Sequence, residues 1–141
     1  MKKFAAKLFI AGIFLTAMLS SCNFSVSTAH IDDVKMCTRV SDNQCTADKP
    51  AFSRNIPVIF VSCHLKNAPE NTLVKFTWYY YGKNKVKITS VKLNSGNKPG
   101  TLNLQSSLSR PTRGWPVGEY EVAISIEGVD KAPVIKKFSV Q

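Results

Sequence analysis

The chain predicts an all-β fold, an antiparallel two-sheet sandwich of about seven strands, on three observations. From Val34 onward, runs rich in Val, Ile, Thr, Tyr and Phe alternate with clusters of Gly, Pro, Asn and Ser. Within the runs, apolar and polar residues alternate with period two, as a strand with one face on a core requires. No window repeats its apolar residues at helical spacing.

A different kind of segment precedes that pattern. Residues 1–7 carry Lys2, Lys3 and Lys7 and no acid, and an apolar run of 12 residues follows from Leu8 to Leu19. A basic start before a short apolar stretch is the pattern of a secretory signal. The run falls short of the ~20 residues that a spanning helix needs. It ends in Leu19-Ser20-Ser21-Cys22, which resembles the bacterial lipobox: an aliphatic residue, two small residues, then cysteine. The resemblance implies cleavage before Cys22 and diacylglycerol on its thiol. Residues 1–21 are then a lipoprotein signal peptide, 22–33 a lipidated tether and 34–141 the folded domain. One acyl chain binds a membrane only marginally, whereas two or three on one cysteine anchor it firmly. The implied location is the cell envelope, and the outer membrane in a Gram-negative host, because Asn23 rather than Asp follows the cysteine.

Removing residues 1–21 from the 141 leaves 120, enough for one domain with a modest core. The signal takes three of the 19 basic residues with it, leaving 16 against 9 acids. That balance favours anionic neighbours through a screened, long-range attraction. It equally suits a soluble surface with net charge kept off zero. The membrane, through the lipid on Cys22, is one expected partner, and an envelope protein or a glycan another. Nucleic acid is not expected of an exported, anchored chain.

Three cysteines remain beside Cys22. Cys37 and Cys45 flank a short polar stretch, TRVSDNQ, and are expected to pair, since an exported chain meets an oxidising compartment. Closing that loop stabilises the fold by ~2.6 kcal/mol on the chain-entropy model. Cys63 is then a lone buried thiol, with its pairing to either of the others left open. No CxxC or CxxH spacing occurs, so no metal site and no cofactor are expected.

The strands are expected at 34–40, 56–66, 72–81, 85–93, 100–105, 118–127 and 132–140. In the second, Ile59, Val61, Cys63 and Leu65 form the apolar face. In the third, Val74, Phe76, Trp78 and Tyr80 share a face opposite Lys75, Thr77, Tyr79 and Tyr81. In the sixth, Tyr120, Val122, Ile124 and Ile126 oppose Glu119, Glu121, Ala123 and Ser125. Gly82-Lys83-Asn84 and Asn94-Ser95-Gly96-Asn97 supply turn residues that tolerate positive φ.

Cys63 precedes Trp78 by 15 residues, and Gly118-Glu119-Tyr120-Glu121-Val122 follows a Trp-Pro loop. These features resemble the immunoglobulin-like fold. There, a core cysteine precedes a buried tryptophan, and a corner tyrosine hydrogen-bonds to the backbone just before it. The resemblance covers 34–141. The second core cysteine would fall at Val122 and is missing, so the likeness is to bacterial immunoglobulin-like modules without that bridge. It implies a fold and says little of function.

Catalytic chemistry is not expected. His30 lies in the tether, and His64 neighbours Cys63 on a strand, so their side chains point to opposite faces. Asp32 and Asp33 fall in the tether, while Glu119 and Glu121 sit on a strand's polar face. No phosphate loop, HExxH or GxSxG occurs. Recognition has two carriers. Lys83, Lys85, Lys87 and Lys92 form a lysine row, read first as protection of a sheet edge and second as an anion site. Tyr79 and Tyr81, with Lys75 beside them, and Trp115 in its Pro-flanked loop could anchor a partner. The expectation is a non-enzymatic, membrane-anchored binding or structural module of the cell envelope, with a carbohydrate or anionic glycan as the alternative ligand.

Overall fold

A computed structural model describes residues 28–141. The signal, Cys22 and the tether as far as residue 27 lie outside the described residues. Ten strands follow one another: β1 (His30–Cys37), β2 (Val40–Ser41), β3 (Gln44–Cys45), β4 (Ala51–Phe52), β5 (Val58–Ala68), β6 (Leu73–Tyr81), β7 (Lys85–Asn94), β8 (Gly100–Ser109), β9 (Gly118–Ile126) and β10 (Val134–Val140). The fold is all-β. A three-stranded sheet, β1-β5-β8, packs on a five-stranded sheet, β4-β10-β9-β6-β7. β2 and β3 form a separate small hairpin.

The apolar faces read from period two meet in the core. Ile59, Val61, Cys63 and Leu65 of β5 are buried against Val74, Phe76 and Trp78 of β6 and Val122 and Ile124 of β9. β6 and β9 pair Trp78 with Val122 and Phe76 with Ile124. Phe138 of β10 ties three rings together. It stacks on Tyr120 at 5.1 Å and meets Trp78 and Phe52 edge-on at 6.0 and 5.8 Å, geometries that suit the ring quadrupole.

The first strand begins earlier than the sequence suggests. His30, Ile31 and Asp32 pair with Lys66, Leu65 and His64, so His30–Asp33 belong to β1 and not to a tether. Only Ile31 in that stretch is apolar, so its pattern shows no strand. The pairing breaks between Asp32 and Lys35, where Asp33 adopts φ 49°. Gln44 fills that break, its side-chain amide donating to the Cys63 carbonyl at 3.0 Å.

The Cys37–Cys45 disulfide is formed. It pins the β2–β3 hairpin across the outer face of the three-stranded sheet, where the Cys45 amide donates to the buried Ser62 hydroxyl. Cys63 stays free and buried.

Candidate functional site

The two sheets do not match in width, and the mismatch creates the most distinctive surface. β7 is an edge strand beside β6, and β8 is an edge strand beside β5. Both edges lie on the same flank, joined only by residues 95–99. β7 overhangs the narrower sheet. Its core-facing side is therefore only partly covered: Leu93 packs against the core, whereas Val86, Ile88 and Val91 stay 54%, 41% and 38% exposed. A bulge between Trp78 and Tyr79 of the β6–β7 ladder leaves Ile88 unpaired and turns it to this side.

A slot of about 230 Å³ opens there, walled by Val86 and Ile88 of β7, Leu108 of β8, and Tyr80, Trp115 and Tyr120 behind them. The rear wall is held rigidly. The Trp115 indole donates to the Ile56 carbonyl at 2.7 Å. The Tyr120 hydroxyl donates to Pro116 at 2.6 Å, the corner bond that the Gly118–Val122 pattern suggests. Burial, and then the neighbouring Tyr80, push that hydroxyl's pKa up to about 12. Tyr80 lies against Tyr120 at 4.9 Å and donates to the Val117 carbonyl. Gly118, at φ +144°, brings its backbone under the Tyr80 ring, where a Cβ would stand 3.2 Å from it. With their polar atoms spent on backbone, these rings offer the slot only carbon. A larger hollow of about 470 Å³, near Pro69–Leu73 and Ile126–Val129, is more open and lined mainly by loop residues.

The structure places the other sequence candidates elsewhere. Trp115 is buried at 1% exposure and so forms a wall, not a protruding anchor. Lys85, Lys87 and Lys92 lie on the outer face of β7, opposite Tyr81, Tyr79 and Lys75 of β6, and Lys83 sits in the turn before them. Lys85 is spent on a local cluster. Its ammonium stands 3.0 Å from Glu121 and 4.2 Å from the Tyr79 ring centroid, while the Tyr81 hydroxyl donates to Glu121 at 2.7 Å.

Glu121 departs from the reading of solvated strand acids, because Tyr81 and Lys85 cover it to 3% exposure. Burial works to raise its pKa, but the Tyr81 hydroxyl and Lys85 outweigh it and hold the carboxyl below the ordinary glutamate value. The Glu121 carboxylate in turn raises Lys85.

β1 also gathers His64 with acids. Its Nδ1 lies 3.6 Å from Asp32 and its Nε2 3.8 Å from Asp33. The Lys66 ammonium, 2.9 Å away, lowers the Asp32 carboxyl against the opposing effect of burial. Cys63 lies next to His64 in sequence but is buried in the core, where desolvation pushes its thiol up to about 12 and keeps it protonated. Among the described residues, no three His, Cys, Asp or Glu side chains converge as metal ligands would.

No protein-family model matches the chain, and no curated protein matches it. Among solved structures it is similar to the alkylpurine DNA glycosylase AlkC of Pseudomonas fluorescens, solved bound to DNA containing an abasic site analog. The identity is 14% and the TM-score 0.47, over 80% of this chain and 30% of that one. This finding corrects the expectation of a membrane-anchored envelope binding or structural module with a glycan as alternative ligand. Nothing in these comparisons supports a membrane through Cys22, an envelope protein or a glycan as partner. The exclusion of nucleic acid, which rested on the same anchored reading, is corrected with it.

The sequence reading missed the Val86–Ile88–Val91 stripe. Period two marks Val86 and Ile88 as the face opposite Lys85 and Lys87, which is legible, whereas Val91 joins that face only through the bulge. That no strand lies across from them depends on the count of strands in the other sheet, which local pattern does not carry.

Proposed function

We propose that this chain is an immunoglobulin-like recognition domain that binds rather than catalyses, taking one apolar side chain of its ligand into the slot between β7 and β8. The observation that carries the reading is the core-facing stripe Val86–Ile88–Val91, left uncovered beside a slot with aromatic walls. Its volume lies below the roughly 300–1,000 Å³ of a drug-sized site and suits a single Phe or Leu side chain. The immunoglobulin-like assignment is supported by the sheet order, by the Tyr120–Pro116 corner bond and by Trp78 in the core. Export by a signal that ends in a lipobox-like sequence belongs to the same proposal. It is supported by Leu19-Ser20-Ser21-Cys22 and by the disulfide, which suits an oxidising compartment.

Titration of the full chain with N-acetyl-phenylalaninamide tests the slot. At ~0.3 kcal/mol per heavy atom, binding is of order 1 mM. Saturable shifts of the Trp115 indole N–H and the Ile88 methyls, lost in Ile88→Glu, are expected. Shifts that do not saturate, or that survive Ile88→Glu, overturn the reading.

A further inference from the structure

We propose that the ligand is an extended, acidic segment of another polypeptide, added as a fourth strand along the free edge of β8. This rests on the slot reading above and names its ligand.

The edges of the two sheets are treated differently. Edge strands are usually guarded by charge, proline, bulges or brevity, because an unguarded edge templates pairing with another chain. β1 carries a bulge together with Asp32, Asp33 and Lys35. β4 is two residues long, and β7 carries three lysines. β8 is ten residues long, GTLNLQSSLS, with no charge and no proline. Among the described residues it is the one long edge without a guard, and it borders the uncovered stripe.

Geometry makes the two features one site. Strands in a sheet lie ~4.8 Å apart and packed sheets ~10 Å apart. A strand added beside β8 therefore lies across from β7. Its alternate side chains turn inward onto Val86, Ile88 and Val91, and one of them reaches the slot at Trp115. The constant-type immunoglobulin sandwich has a fourth strand at this edge of its first sheet. Here the five residues 95–99 lead straight from β7 to β8 and leave that place open.

Charge selects the partner. From Asn71 to Gly118 the chain has no Asp or Glu and eight Lys or Arg. Lys85 and Lys92 are answered by Glu121 and Glu127. Lys83, Lys87, Lys98 and Arg113 have no ion-pair partner among the described residues. The net positive charge of this flank attracts an acidic segment at long range, and acidic residues are favoured on the solvent-facing side of the inserted strand, because its inward side meets the apolar stripe. A second copy of this chain would bring lysine against lysine and is disfavoured. The apolar stripe and the carbon-lined slot favour a polypeptide over a nucleic acid strand, since Tyr80, Trp115 and Tyr120 are wall elements and leave no free ring face for a base.

The test is amide hydrogen exchange by NMR on the full chain with a ten-residue peptide that alternates Glu with Val around one central Phe. Controls are the same peptide with Lys for Glu and a ten-nucleotide oligothymidylate. At saturating peptide, exchange of amides in β8 slows at least tenfold while β1 amides are unchanged. Lys83→Glu with Lys87→Glu weakens binding at least fivefold, and the lysine peptide leaves β8 unprotected. Ile88→Lys abolishes the protection. Val86→Lys serves in its place if the near-ultraviolet spectrum of Ile88→Lys shows misfolding. If N-acetyl-phenylalaninamide enters the slot but the peptide leaves β8 exchanging freely, strand addition is wrong and the slot reading stands. If neither binds, both are wrong. Equal protection by the lysine peptide, or stronger protection by the oligonucleotide, overturns the acidic polypeptide.

Discussion

On the β1 flank, residues 38–57 cross from one sheet to the other and close the sandwich as they go. Asp48 accepts the Met36 amide on one side and pairs with Lys136 of β10 at 2.6 Å on the other. The Ser139 amide donates to Pro50, and the Gln141 amide to Phe52, whose ring is buried against Phe138. On the β7–β8 flank the crossing is five residues long, and the core-facing valines and isoleucine stay in water. Both flanks are built from strands with the same alternation. The length of the crossing segment decides whether a core-facing residue is covered.

The largest effect that sharpens this contrast is expected at the core. Trp78→Ala should cost ~3–5 kcal/mol in urea unfolding. Ile88→Ala, equally core-facing by period but on the open flank, should stay within ~0.5 kcal/mol. A cost at Ile88 approaching that at Trp78 would mean that the β7 flank is covered after all. Next comes the staple of the closed flank: replacing Cys37 and Cys45 by Ser should remove about 2–3 kcal/mol, seen as a lower melting temperature in the absence of reductant. Tyr120→Phe should cost about 1 kcal/mol, by loss of the bond to Pro116, and should loosen the slot wall, read as faster exchange of the Trp115 indole proton.

The smallest effect is that of pH. Burial works to raise the Asp48 carboxyl, but Lys136 and the Met36 amide outweigh it and hold it below the ordinary 3.8. Asp32 and Glu121 are likewise lowered, the latter from 4.5. A carboxyl whose folded-state pKa lies below its unfolded value stabilises fully above the unfolded value. That contribution is lost as pH falls through the folded value. The urea midpoint should therefore be level at neutral pH and fall below about pH 4, the ordinary carboxyl range. Asp48→Asn should flatten part of the fall. A midpoint that rises on acidification would contradict the ion pairs on the closed flank.

Much of the fold is legible in the chain. Val58–Ala68, Leu73–Tyr81, Lys85–Asn94 and Gly118–Ile126 fall where period-two runs and turn residues put them. Cys37 and Cys45 pair across their short polar loop. The beginning of β1 was not legible, because in His30-Ile31-Asp32-Asp33 the strand is held by pairing to β5 and by a bulge that Gln44 fills. Nor was the burial of Glu121, which depends on Tyr81 and Lys85 closing over it from neighbouring strands. The lysine row reads from sequence as an edge guard, and β7 is an edge strand.

By itself, then, the sequence determined which residues face inward on β5, β6 and β9, since alternation is a local property of an extended backbone, whereas on β7 a bulge carries Val91 to the inner face and Lys92 to the outer one. It also determined where the chain turns and how its basic residues are distributed. Tertiary structure alone decided which inward faces are covered, which edge is left without a guard and which rings wall the slot. Those outcomes follow from strand order and from the unequal widths of two sheets, which arise from pairings between residues far apart in the chain.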